Sequence, residues 1–238
     1  MRRPAAVAEA ARPNRFKAGV LAPLTAAAVA LTLAACGGAV PHAATPHDGA
    51  SPAPLTGFAA RFVGSSHQPA PEATVRPTPG TWDDVAAPAG FSIVVVARGD
   101  DASTATLTGA VEHYAETHGA DLTVLPARDD DEVEQRIDEA VAAASDLVVG
   151  VGDGVVDVFS LITAQYLETD FLLVGAQLPE PTHNVTAVVW PGAEFRGTGL
   201  GNDAVRPNAV TPVIAREAVA AGAASVLHDL TGIVIELG

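Results

Sequence analysis

Lysine occurs once in the 238 residues, at Lys17, and cysteine once, at Cys36. Beyond residue 17 there is no amine for a Schiff base and none for the phosphate-gripping lysine of a P-loop. A lone cysteine excludes a disulfide within one chain, and nothing around it would activate a thiolate nucleophile. Basic residues are scarce altogether: 13 Lys and Arg stand against 28 Asp and Glu, a net charge of −15 at pH 7. Such a chain repels nucleic-acid phosphates and anionic headgroups, so no nucleic-acid partner is expected. A Gly-x-Ser-x-Gly elbow and a His-Glu-x-x-His helix are also missing, which removes the commonest hydrolytic arrangements. Neither an enzyme nor a cofactor is expected.

What is present begins at the amino end. Arg2, Arg3, Arg12, Arg15 and Lys17 precede the apolar run Ala18 to Leu33, which closes on Leu33-Ala34-Ala35-Cys36-Gly37. A basic stretch, a short apolar run and small residues before the cysteine form the layout of an export signal ending in a lipobox. The competing reading, a membrane-spanning helix, calls for about 20 uninterrupted apolar residues, and Pro23, Thr25 and Thr32 break this run. Residues 1–35 are therefore expected to be a signal peptide. Cys36 becomes the acylated (palmitate-bearing) first residue, and the remainder sits on the extracytoplasmic face of the cell membrane, held by its lipid. Loss of residues 1–35 leaves eight basic against 27 acidic residues, a net −19. Richness in Ala, Val, Arg and Asp with almost no Lys fits a high-GC, actinobacterial genome.

Residues 36–89 carry Pro41, Pro46, Pro52, Pro54, Pro69, Pro71, Pro77, Pro79 and Pro88. Neither strand nor helix periodicity survives that punctuation, so a disordered spacer between lipid and domain is expected. Leu55, Phe58, Phe62 and Val63 form one short apolar cluster inside it, a docking turn or a sticky patch. His42, His47 and His67 lack metal-ligand spacing and read as spacer residues.

From residue 90 the pattern changes. Phe91 to Ala97, Leu122 to Leu125, Leu147 to Val149, Phe171 to Val174 and Val185 to Trp190 are short β-branched apolar runs, each of strand length. Between them lie amphipathic stretches: Ser103 to His118, closed by Gly119; Asp131 to Ala144; and the stripe Val155, Phe159, Ile162, Tyr166. An Ala-rich helix from Val210 to Leu227 and a terminal strand from Gly232 to Leu237 follow. Strands apolar on both faces, alternating with helices, belong to a parallel sheet covered on both sides. The expected fold is α/β: a single doubly wound, Rossmann-like domain over residues 90–238 with about five mainly parallel strands.

Open α/β sheets bind ligands outside the carboxyl ends of their strands. That rule selects Asp100, Asp101 and Ser103 after the first strand, Asp153 and Asp157 after the third, and Gln177 after the fourth as candidate ligand-binding residues. Their carboxylates favour a neutral or cationic, hydroxyl-bearing ligand over an anion. Asp100, Asp101 and Ser103 are equally suited to capping the following helix. Gly150-Val-Gly152-Asp-Gly154 invites a phosphate-cradle reading, but Val155 breaks the dinucleotide fingerprint, and a tight strand-to-helix turn explains the glycines. Asp129-Asp-Asp-Glu132 lacks the alternating ligands and central glycine of an EF-hand and reads as a helix N-terminus complementing the macrodipole. No metal site is expected.

Asp146-Leu-Val-Val-Gly-Val-Gly152, the helix containing Asp157, Phe171-Leu-Leu-Val-Gly175 and Asn184-Val-Thr-Ala-Val-Val-Trp190 together resemble the basic membrane protein family. Glu194-Phe195-Arg196-Gly197 is similar to that family's element after the strand, and Ala218 to Val234 to its closing helix. The resemblance implies a lipoprotein substrate-binding component of an ABC transporter with a type I periplasmic-binding fold; better-known members bind purine nucleosides. It also implies two lobes with ligand between them, whereas this chain passes from Gly201 almost directly to its closing helix, so one lobe is expected. Ala102-Ser-Thr-Ala105 and Asp153 stand where the family offers aromatic residues, which removes a stacking contact from purine recognition. Two function classes follow. One is membrane-tethered, non-enzymatic recognition of a small polar ligand, nucleoside-like at best, with an ABC permease or a second protomer as partner; the other is an envelope lipoprotein serving as a protein-interaction scaffold.

Overall fold

The sheet is built from strands that alternate strictly between two cores. In β2 (Ser92–Arg98), Ile93, Val95 and Ala97 enter one apolar cluster while Val94 and Val96 enter the other. In β5 (Phe171–Val174), Leu172 and Val174 face the first cluster, and Phe171 and Leu173 the second. A strand that buries both faces this way needs helices above and below it. The computed structural model describes residues 53–198 and 206–238, all within one compact unit, Ala50–Gly238. The expected signal peptide, the expected acylation site Cys36, His42 and His47 lie outside the described residues. Among the described residues no helix is long and apolar enough to cross a membrane.

Seven strands form one sheet in the order β1-β7-β6-β5-β4-β2-β3, with every pairing parallel. Besides β2 and β5 these are β1 (Thr74–Val75), β3 (Asp121–Ala127), β4 (Leu147–Val151), β6 (Val185–Val189) and β7 (Val234–Glu236). The helices are α1 (Gly57–Val63), α2 (Ala102–His118), α3 (Asp130–Ala142), α4 (Val156–Ile162) and α5 (Pro212–Leu227). Buried residues of α1, α2 and α5 join the first cluster; those of α3 and α4 join the second. The α/β, parallel, doubly wound expectation therefore holds, with seven strands rather than about five.

Local chemistry explains most boundaries. Asp129 caps α3, accepting from Glu132 N at 2.9 Å, and Asp130, Asp131 and Glu132 fill its first turn, where carboxylates complement the helix dipole. Gly119 closes α2 at φ 67°, a left-handed conformation that glycine adopts without strain. β3 continues past Leu125, where the apolar run ends, and Pro126 pairs with Ala97 inside it. The reason is position: β3 is the outermost strand, and an edge strand tolerates a residue without an N–H. Gly222 lies within α5. A Cβ there would stand 2.5 Å from Leu172 Cδ1 and 2.9 Å from Val188 Cγ2, so the glycine lets the Ala-rich helix lie directly on β5 and β6.

The larger correction concerns the expected spacer, whose later part is folded. Residues 53–89 form a strap along the β7 edge. Phe58 and Phe62 of α1 are buried, Phe62 completely, and Trp82 and Val75 join the same core. Phe62 meets Trp82 edge to face with ring centroids 6.0 Å apart, while Phe58 stacks on His228 at 4.0 Å. β1 adds two residues to the sheet, Thr74 beside Val234 and Val75 beside Ile235. Arg76 extends this attachment with an ion pair to Glu236 at 2.9 Å. Proline-rich chain is compatible with all this because only two residues need strand conformation, while anchors such as Phe62 and Trp82 need no periodicity. Of the two readings of the Leu55–Val63 cluster, the docking turn is the one observed. His67 is exposed and bonded to Ser65.

Candidate functional site

The six candidate residues all follow the carboxyl ends of β2, β4 and β5, and these are adjacent in the sheet. Between β2 and β4 the chain order reverses, β2 leading outward to β3 and β4 lying on its other side. This is the switch point at which open sheets leave a crevice. Here the crevice holds an arginine. Arg98, the last residue of β2, donates from Nη1 to Asp130 Oδ1 at 2.7 Å and to Gly154 O at 3.1 Å, tying together the chain after β2, β3 and β4. Gly154 permits the approach, since a Cβ there would sit 3.3 Å from Arg98 Cβ and O. Gly150 likewise leaves room for Phe159, whose ring would be 2.8 Å from an added Cβ. The glycine-rich segment is thus a tight strand-to-helix turn.

Asp101 is the N-cap of α2. Its Oδ1 accepts from Ser103 N at 2.8 Å and Thr104 N at 3.1 Å, and its Oδ2 accepts from the Thr104 hydroxyl at 2.6 Å. The Thr104 hydroxyl above all, and the backbone donors after it, hold this carboxyl below its usual range against a smaller desolvation effect. Ser103 occupies the first turn of α2, half-buried, and Asp100 is exposed in the turn before it. Asp153 opens the 3-10 turn that follows β4.

Asp157, in the first turn of α4, is also engaged. Thr198 donates its backbone N–H to Oδ1 at 3.0 Å and its hydroxyl to Oδ2 at 2.6 Å. The Thr198 hydroxyl is the main reason that the Asp157 carboxyl lies below its usual range. The segment carrying Thr198 runs over the ends of β4 and β5: Gln177 N donates to Phe195 O at 2.8 Å, Ala176 bridges Phe195, and Arg196 Nη2 donates to Pro179 O at 2.8 Å. The side-chain amide of Gln177 reaches Glu194 O at 3.4 Å. Gly197 at φ 106° turns this segment toward α4, and a Cβ there would approach Asp157 Oδ1 to 3.2 Å. Residues 199–205 lie outside the described residues.

Arg98 and Thr198 were missed by sequence reasoning. Their partners come from segments 32 and 41 residues away, so no local motif announces either. The end of a strand at a switch point is the one signal that marks Arg98. Among the described residues, no three His, Cys, Asp or Glu side chains are grouped to hold a metal ion.

Residues 89–196 match the model of the Bmp family, described as "ABC transporter substrate-binding protein PnrA-like". No curated protein matches the chain. Among solved structures, an ABC transporter solute-binding protein from Aeropyrum pernix K1 is 20% identical over 44% of this chain and 29% of its own, with a TM-score of 0.39. Its counterpart from Conexibacter woesei DSM 14684 is 19% identical over 42% and 35%, with a TM-score of 0.35. A lipoprotein fragment from Peptoclostridium difficile 630 is 12% identical over 59% of this chain and 98% of its own, with a TM-score of 0.43. The chain spans about a third of the length of the two solute-binding proteins. From just before β2 to Arg196 in the segment over the carboxyl edge, this chain carries the pattern of the basic membrane protein family, the family it resembles by its motifs.

Proposed function

We propose that this protein is a lipid-anchored, extracytoplasmic recognition component of the substrate-binding type, non-enzymatic, taking a small polar ligand at the carboxyl edge of its sheet. The observation that carries the reading is the family match over residues 89–196, which spans every candidate residue of that edge. Asp100, Asp101, Ser103, Asp153, Asp157 and Gln177 are the proposed ligand-binding residues. A hydroxyl-bearing neutral or cationic compound, nucleoside-like at best, suits their charge. Cys36 is the proposed lipid attachment point, residues 1–35 the signal, and an ABC permease or a second protomer the proposed partner.

A thermal-shift screen with nucleosides, sugars and amino acids tests the ligand. The best compound is then titrated against Asp100→Asn and Asp153→Asn, which spare the α2 cap. A hydrogen bond to a charged group is worth roughly 1.5–3 kcal/mol, so at least one of the two variants should bind about tenfold more weakly. Tight binding that both variants leave untouched refutes this site. For the anchor, Cys36→Ser should leave unlipidated precursor in the membrane fraction, and normal lipid labelling of that variant refutes acylation at Cys36.

A specific observation favours the scaffold reading as the second choice: Asp101 and Asp157 already spend their carboxylates on Thr104 and Thr198. Absence of any thermal shift across the whole screen would favour it.

A further inference from the structure

We infer that the Ala193–Thr198 segment is a built-in competitor for the carboxyl edge, with Thr198 occupying the Asp157 carboxylate in place of a ligand. The inference rests on the site proposed above and names how that site is regulated.

Three features make the tip of the segment, Arg196–Thr198, displaceable, although its base is packed: Ala193 is fully buried in the first cluster and Phe195 lies against the second. First, the attachments of the tip are polar: the Thr198 N–H and hydroxyl on Asp157, and Arg196 on Pro179 O. Thr198, Arg196, Glu194 and Asp157 are exposed, whereas the β4 and β5 strands beneath are buried at every position. A segment held by exposed hydrogen bonds opens locally at far lower cost than strands buried on both faces. Second, the base of the strap is fixed independently of its tip. Trp190 Nε1 donates to Ala209 O at 2.8 Å and Arg206 N to Gly192 O at 2.8 Å, and neither bond uses a residue of 193–198. Third, glycines stand just before the segment and just before its tip, Gly192 at φ 90° and Gly197 at φ 106°, so the backbone turns where glycine is least strained.

The chemistry at the tip is that of a bound ligand. A hydroxyl at 2.6 Å and an N–H at 3.0 Å fill both oxygens of one carboxylate. A compound reaching Asp157 must present donors of its own and displace Thr198, so its apparent affinity is lowered by the fraction of molecules in which the strap is closed. Substrate-side binding and strap release are then two faces of one equilibrium.

The test uses the full chain and two readouts. Thr198→Val keeps the shape and the backbone N–H but removes the hydroxyl donor. Amide hydrogen exchange should rise about tenfold across residues 196–198 in this variant, the size of one charge-assisted bond, while β4 and β5 exchange as in the parent. Unchanged exchange in the strap overturns the inference, and so does an equal rise in β4 and β5, because that is general loosening. Guanosine, ribose and serine are then titrated as probes into both proteins. Any probe that binds should bind Thr198→Val about tenfold more tightly, and equal affinity overturns the competition. If none binds either protein, the proposed function fails, while the exchange result still decides whether the strap is latched.

Discussion

Replacing Phe62 by alanine is the sharpest probe of where the folded domain begins. Phe62 is fully buried, its ring packed 5.2 Å from that of Phe58 and 6.0 Å from that of Trp82, and its carbonyl accepts from Thr78 N at 2.8 Å. The backbone bond survives the substitution; the ring contacts do not. Truncating a fully buried phenylalanine costs about 3–5 kcal/mol, whereas a substitution in a solvated spacer falls within about 0.5 kcal/mol. The two expectations differ by almost an order of magnitude. Urea unfolding followed by both tryptophan fluorescence and circular dichroism separates them, because Trp82 in the strap and Trp190 after β6 both contribute to the emission. With a urea dependence of about 2 kcal/mol per molar, the midpoint should fall by roughly 2 M. A shift under about 0.3 M, or one confined to part of the fluorescence signal while circular dichroism is unchanged, would refute the reasoning, since the strap would then melt without the sheet.

A glycine pair tests the packing of the two long helices on the first face. Gly222→Ala gains about 1 kcal/mol of helix propensity but forces a Cβ against Leu172 and Val188 at 2.5–2.9 Å, and overpacking at about 1–3 kcal/mol wins; the melting temperature should fall by about 2–4 °C. Gly109→Ala on α2 meets nothing within 4 Å and should raise it by a similar amount; opposite signs in calorimetry would refute the helix placement. Tyr114 carries a buried hydroxyl without a hydrogen-bond partner among the described residues, and burial pushes its pKa up to about 12. In the unfolded chain it ionises near pH 10, so between those values unfolding releases a proton and stability falls as pH rises. Tyr114→Phe removes an unsatisfied group and should leave neutral-pH stability unchanged or higher, with a shallower alkaline loss in thermal melts; a marked destabilisation would mean that the hydroxyl has a partner.

The parts of the fold that were legible were those whose signals are local. Alternating apolar faces with β-branched residues gave β2, β4, β5 and β6, and Asp101, Asp129 and Gly119 marked helix ends through side-chain and backbone chemistry that acts within a few residues. β1 and the strap were illegible for the opposite reason. Two strand residues and the isolated anchors Phe58, Phe62 and Trp82 are specified by β7 and α5, which lie more than 100 residues later. At the candidate site the residue types and their edge were readable from the α/β rule, and the capping role of Asp101 with them. That Asp157 would be taken by Thr198, and the crevice by Arg98, depends on how loops fold over an edge, a tertiary matter that no spacing encodes.

Gly192 and Arg206 meet in one hydrogen bond of 2.8 Å, so the two ends of the connection between them stand side by side. Lengthening a connection whose ends are already joined costs little, since doubling its length adds only about 0.6 kcal/mol of closure entropy. The lobe is therefore a natural chassis: a reporter domain spliced between Thr198 and Arg206 would ride on it as a passenger, and gain or loss of a whole module at this junction would leave the seven strands as they are.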